Sequence, residues 1–334
     1  MSMISGPDIS PPASQVVRRT FRELLLPISL ATVLALLAAC TFDLNYDKYA
    51  IVYGISDYPG TADDLSSTDD DARDIEALLT SQGFQVIVRV TDDGTIDDPD
   101  GGATANIDEA SYDQLTRDFQ NVAAQADLDD LFLFYFSGHG IQIPLVTSEN
   151  TPGSDGEDEA IVLISDDLNL KVNLIDDDLA GLLRTIPCAR RIVILDACYS
   201  GGFIGNSAEA DAIPADYSQG SNGLFETLGD TIYLYANFQD YGSDIRPSDA
   251  VVIAASGEQD FAYESGGNGV MTSYLLESAT MGDLNSDGFV TVSEAYFYIY
   301  KNIDKYFNAV FWPYTDVFFP HVSGGPVDYI LFVN

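Results

Sequence analysis

Two stretches limit what this chain can become. Leu131–Gly140 reads L-F-L-F-Y-F-S-G-H-G, and Arg191–Gly202 reads R-I-V-I-L-D-A-C-Y-S-G-G. Each is a continuous apolar run of strand length that stops abruptly at small residues. An unbroken apolar run suits a strand covered on both faces, as in a parallel sheet between helix layers. Ligand sites in open α/β sheets lie beyond the carboxyl ends of the strands. One run therefore delivers His139 to that edge and the other delivers Cys198.

A thiol becomes a strong nucleophile when a base takes its proton, and a histidine on a neighbouring strand tip meets that need. Gly138, Gly140, Gly201 and Gly202 allow sharp turns and a close approach by a substrate carbonyl. A lone buried Cys is more often a small packed core group, and a lone His is often one too. This chain, however, has only two His and three Cys, and one of each sits at the tip of such a run. The backbone N–H groups of Gly140 and Cys198 are the expected donors to the oxyanion of a tetrahedral intermediate.

S-G-H-G after one strand and D-A-C-Y-S-G after another come with G-I-S-D-Y from Gly54, D-D-D-A-R-D opening a helix and D-E-A-I-V after the histidine. A-A-S-G-E-Q-D-F-A-Y-E follows later. In this order the motifs resemble the caspase-like cysteine peptidases (clan CD), nearest to metacaspases and bacterial caspase homologues. The likeness runs from about Tyr49 to Asn334. It implies a three-layer αβα fold of the caspase-hemoglobinase type, with a mostly parallel sheet of about six strands. It also implies a cysteine endopeptidase working through His139 and Cys198, with His139 chiefly protonating the leaving amine. Carried over onto this sequence, Asp196, Asp71 and Ser137 form a pocket that favours Arg or Lys before the cut. A recessed carboxylate pair selects a cation because an unpaired buried charge is costly. For Asp71 the alternative is capping of the helix it opens. Cleavage after Asp would need basic residues around the pocket, and none flanks either motif.

The first forty residues read as a targeting segment. Arg18, Arg19 and Arg22 precede the apolar Leu24–Ala39, which ends in L-A-A-C at Cys40. This order describes a bacterial export signal, and the apolar run is short of the roughly 20 residues of a spanning helix. L-A-A-C resembles a lipobox, which would make Cys40 the lipidated start of an exported, membrane-anchored lipoprotein; the alternative is an uncleaved anchor. Export permits disulfides, but Cys188 and Cys198 flank an extended strand. At about 3.3 Å per residue they stand roughly 20 Å apart, and a disulfide needs less than about 7 Å. Both thiols are expected free.

Residues 41–334 then form a single domain of alternating strands and helices, with 201–248 as an irregular insertion and no internal repeat. Within it, Asp283–Glu294 matches the twelve-residue calcium-loop template. Asp283, Asn285 and Asp287 fall at positions 1, 3 and 5, Phe289 offers its carbonyl at 7, Thr291 is at 9 and Glu294 at 12. Helical patterns flank the loop, so a structural Ca2+ is expected and no organic cofactor is. The net charge of −39 disfavours nucleic acid and anionic membrane surfaces as partners. Protein or peptide substrates with basic residues fit it, and the only membrane link expected is the lipid anchor. A monomer is expected. Between His139 and Cys198 the bases are Lys171, Arg184, Arg190 and Arg191, and Lys171, in a polar connection, is the exposed site for self-cleavage. Two other readings use the same residues: a silent calcium-binding surface module and a transpeptidase.

Overall fold

Alternation along the central strands sorts the core into two sides. In the computed structural model the described residues are 46–59, 63–91, 110–144, 157–166, 169–204, 250–257, 260–311, 317–323 and 328–334. The targeting segment with Cys40 and residues 205–249 of the insertion lie outside them. The strands are β1 (Lys48–Ile55), β2 (Gln85–Thr91), β3 (Leu131–Ser137), β4 (Gly140–Pro144), β5 (Glu157–Ile164), β6 (Lys171–Ile175) and β7 (Arg190–Asp196). After them come β8 (Val251–Ala254), β9 (Glu264–Ser265), β10 (Asn268–Gly269), β11 (Phe289–Thr291), β12 (His321–Val322) and β13 (Ile330–Val333). The longer helices among the described residues are α1 (Thr68–Ser81), α2 (Tyr112–Ala123), α3 (Asp176–Thr185), α4 (Val270–Met281) and α5 (Val292–Asn302).

The main sheet runs β12-β8-β7-β3-β1-β2, parallel throughout except for the edge strand β12. Successive strand side chains face opposite sides. Tyr49, Ile51, Tyr53 and Ile55 of β1 join Phe132, Phe134 and Phe136 of β3 against Leu115 and Phe119 of α2 and Leu179 and Leu183 of α3. Ala50, Val52, Leu133 and Tyr135 face the other way, against Ile75 and Leu79 of α1, Leu275 of α4 and Ile299 of α5. That gives the three layers read from the sequence. Every β3 residue is buried, and each large apolar side chain so covered contributes about 2 kcal/mol.

Three features add to the sequence reading or, for Lys171, correct it. Ile161–Ile164 belongs to a longer β5, the centre of a separate antiparallel sheet β4-β5-β6. Its partners alternate apolar and polar residues, but each is only 5 residues long. Lys171 opens β6 opposite Ile164 and is therefore not in a loose connection. The last strand, β13, pairs antiparallel with β11, and the sixth place in the main sheet goes to the two-residue β12, too short for any periodic signal.

The chain's central polar contact lies on the α2 side. Asp118 is fully buried on α2 and takes both Arg89 nitrogens, Nε at 2.9 Å and Nη2 at 2.9 Å, together with the Tyr53 hydroxyl at 2.9 Å. Burial, with Asp118 beside it, pushes the Tyr53 hydroxyl well above its ordinary pKa, so it stays a donor. Replacing Asp118 by Ala strands a guanidinium and a hydroxyl. Asp118→Ala is expected to cost about 3–5 kcal/mol, read as a lowered denaturation midpoint with unchanged cleavage specificity at permissive temperature.

Candidate active site

Parallel pairing sets the geometry of the site. Ser137 of β3 lies opposite Asp196 of β7, and the Gly138 N–H donates to the Asp196 carbonyl at 3.3 Å. His139 and Cys198, each two residues further on, leave the sheet at one level. The two turns touch: a Cβ on Gly140 would overlap the Cys198 carbonyl oxygen. Beyond the cysteine the chain reverses through Tyr199, a non-glycine residue at φ 57°. Its N–H donates to the Asp260 carbonyl at 3.0 Å, and Ser256 Oγ donates to the Ala197 carbonyl at 3.1 Å. A buried 3-10 turn, Ser200–Ile204, follows, so the start of the expected insertion is part of the core.

His139 is held from three sides. Its N–H donates to the Tyr58 hydroxyl at 2.8 Å, its carbonyl accepts from Val162 N–H at 2.9 Å, and its Nε2 lies 2.7 Å from the Asp63 carbonyl. A carbonyl only accepts, so Nε2 carries the hydrogen in the neutral ring and Nδ1 keeps the lone pair. The Tyr58 ring packs on the imidazole with centroids 4.7 Å apart. Lys171 pairs with the Asp63 carboxylate and stands over the Tyr58 ring, so this base belongs to the rim of the site.

Cys198 is half-buried, with Sγ 3.9 Å from the Ala262 carbonyl. Burial raises its pKa, and the charges of Asp196 and Glu264 raise it further against the Ala262 contact. At rest it is a thiol, and among the described residues it makes no hydrogen bond to His139. Cys188, also free, is fully buried, with its pKa pushed up to about 11 chiefly by that burial; it is a packed core thiol.

The three residues expected to form the pocket meet beside the cysteine. Asp71 accepts from Ser137 Oγ at 2.7 Å and from Gly269 N–H at 2.8 Å. Asp196 Oδ2 accepts from Thr272 N–H at 3.0 Å and Thr272 Oγ1 at 2.6 Å. A Cβ on Gly269 would overlap Asp196 Oδ2, so this backbone approaches both acids. Close packing of α1 on β1 brings Asp71 here, because a Cβ on Gly54 would overlap the Thr68 carbonyl oxygen. Burial first, then the Asp196 charge, drives the Asp71 carboxyl far above the usual range. Burial also lifts Asp196 to about 6, with Glu264 adding to the rise and Thr272 opposing it. Among the described residues no Lys or Arg pairs with either acid. The Asp71 side chain serves Ser137 and Gly269, and its helix has no side-chain cap at Ser67.

The Asp283–Glu294 loop joins α4 to α5, at the opposite end of α4 from Thr272. Among the described residues no three His, Cys, Asp or Glu side chains converge into a ready metal cluster.

Fold and site together define a three-layer α/β protein with a thiol and an imidazole at the carboxyl edge of its sheet, above a buried acidic pair. Residues 47–295, well over half of the chain, match the caspase domain family. The chain belongs to that family of cysteine peptidases. It is 30% identical over 190 residues to metacaspase-4 of Arabidopsis thaliana, covering 53% of this chain and 41% of that protein. Metacaspase-9 of the same plant is 30% identical over 192 residues, covering 55% and 53%. The chain thus matches about half, or less, of the length of these curated relatives. A crystal structure of a protein from Geobacter sulfurreducens shares the fold at TM-score 0.50 and 18% identity, covering 84% of this chain and 95% of that one.

Sequence reasoning missed Tyr58, Asp63, Gly269 and Thr272. Tyr58 lies inside G-I-S-D-Y and was visible as a motif residue without a role. Thr272 and Gly269 carry no signal, because their part depends on α4 meeting β7 across the fold. Two expectations follow. Gly140→Ala drives the two turns apart, so activity is expected to fall by about tenfold or more and the melting temperature to fall with it, read by peptide hydrolysis and thermal unfolding. Asp71→Asn removes one of two acids whose folded pKa values are raised. Such acids favour the fold below their unfolded pKa, and that benefit is lost as pH rises through the folded value. Asp71→Asn is therefore expected to match wild type near pH 4 and to exceed it by about 1–3 kcal/mol at pH 8, measured by thermal unfolding across pH.

Proposed function

We propose that this protein is a cysteine endopeptidase that cuts after Arg or Lys. The observation that carries the reading is the pair Asp71–Asp196, buried without a basic partner among the described residues, with Asp196 two residues before Cys198 and Asp71 tied to Ser137. A guanidinium or ammonium entering there supplies the missing charge. An Asp side chain would meet two acids, which disfavours cleavage after Asp.

The chemistry follows from the held groups. Cys198 Sγ attacks the scissile carbonyl, forming the S–C bond, while its proton passes to the lone pair on His139 Nδ1; the neutral resting thiol makes that transfer part of the attack. Backbone N–H groups of Gly140 and Cys198 receive the oxyanion. His139, with Nε2 fixed on the Asp63 carbonyl, delivers a proton from Nδ1 to the leaving amine as the C–N bond breaks. Water then hydrolyses the thioester and returns the thiol. The lipobox-like L-A-A-C at Cys40 supports export and a lipid anchor, so the substrates are extracytoplasmic proteins or peptides.

Profiling a peptide library tests the specificity: cleavage after Arg and Lys is expected, and a preference for Asp or apolar residues overturns it. Cys198→Ala is expected to abolish turnover, a loss on the order of 10⁴-fold or more. His139→Ala should lose about 10²–10⁴-fold, and Cys188→Ala should stay close to wild type. Covalent labelling by an Arg-chloromethylketone excludes a silent module; amide ligation in place of hydrolysis marks the transpeptidase. Because Asp196 sits at about 6, kcat/KM for a basic peptide should rise as pH climbs through that value.

A further inference from the structure

The Asp283–Glu294 loop contains one polar atom that the fold leaves without a partner. Glu294 is only 4% exposed. Its Oε2 is fully occupied at the start of α5, accepting from Thr291 N–H at 3.0 Å and Thr291 Oγ1 at 3.1 Å, while Thr291 Oγ1 accepts in return from Glu294 N–H at 3.3 Å. This capping box holds the side chain in one orientation. The other oxygen, Oε1, is buried and makes no hydrogen bond among the described residues. A carboxylate oxygen left bare in the interior is costly and calls for a cation.

Burial raises the Glu294 carboxyl, and two loop groups, the Asp287 charge and the Leu284 backbone, act on it from the loop side. The other loop oxygens are tied to the backbone of the turn. Asp283 accepts from Asp287 N–H at 3.1 Å and Gly288 N–H at 3.0 Å, and Asn285 Oδ1 accepts from Asp287 N–H at 2.8 Å. Gly288 at φ 89° makes the sharp bend that the sixth position requires. Asp283, Asp287 and Glu294 make no ion pair among the described residues. Every donor is oxygen, which selects a hard cation, and a loop of this length with a carboxylate at position 12 suits the larger, more loosely coordinated calcium over magnesium.

We propose that the Asp283–Glu294 loop binds one calcium ion, with the buried Glu294 Oε1 closing the ligand shell, and that the ion fastens α4 to α5. α4 carries Thr272 and follows Gly269, the groups that hold Asp196 and Asp71. β11, at the loop's exit, pairs with β13, whose Val333 exchanges hydrogen bonds with Gln82 after α1. The ion therefore acts on the frame that supports the pocket without touching the reacting atoms.

Calorimetric titration and thermal unfolding of the full-length protein with CaCl2, and with MgCl2 in parallel, test this independently of peptidase activity. One equivalent of calcium with a midpoint that climbs with its concentration, and at least tenfold weaker magnesium, are expected. Glu294→Gln should lose at least tenfold in calcium affinity and most of the thermal shift. Asp287→Asn, an exposed change that leaves the capping box alone, should weaken binding in the same direction, and it serves if Glu294→Gln does not fold. No shift up to 10 mM calcium overturns the proposal. So does an equal shift in wild type and both variants, which marks diffuse screening of the acidic surface.

Discussion

The pairing of β3 with β7 is the rung from which the site is measured. Ser137 stands beside Asp196, so any residue a fixed distance beyond either strand meets its counterpart beyond the other. A slip by one position would turn every side chain of a strand to the opposite face. It would send Phe132, Phe134 and Phe136 out of the α2–α3 core and separate the imidazole turn from the thiol turn. Register is thus enforced by burial on both faces of the sheet, and the site inherits its precision from the core.

The strands that carry the site were legible because they are buried on both sides and so read as unbroken apolar runs ending in glycine. Helix α1 was legible from the acids of its first turn, and α2 begins at Ser111, whose side chain accepts from Gln114 N–H at 3.2 Å. What stayed hidden was long-range. The sheet β4-β5-β6 and the edge strand β12 depend on partners far along the chain, and β13 is apolar enough for the main sheet yet pairs with β11. In the site, His139, Cys198, Asp71, Ser137 and Asp196 could be named because motifs carry them. Asp63 could not, since it contributes a main-chain carbonyl, which any residue type could supply. Lys171 was misread because an isolated Lys in a polar stretch looks the same whether it is solvated or ion-paired.

Asp71 and Asp196 make the fold work against itself at neutral pH. Two acids are buried within reach of the same glycine, supported by hydroxyl and amide donors alone. A protein selected only for stability would place a neutral or cationic group here. The same donors that soften the penalty, Ser137, Gly269 and Thr272, come from β3, β10 and α4, so the pair can exist only where all three meet the end of β7.

The raised pKa of these acids also ties the pair to the solution around it. Burial, and for Asp71 the Asp196 charge as well, makes both carboxyls hold a proton more tightly than solvent-exposed carboxyls do. A positive charge brought beside the pair lowers both values, so its arrival would be linked to proton release. Binding of a basic peptide at the proposed pocket would then expel protons to the buffer, and departure of the product would take them back. A heat of binding measured there would contain the ionisation heat of whatever buffer receives them.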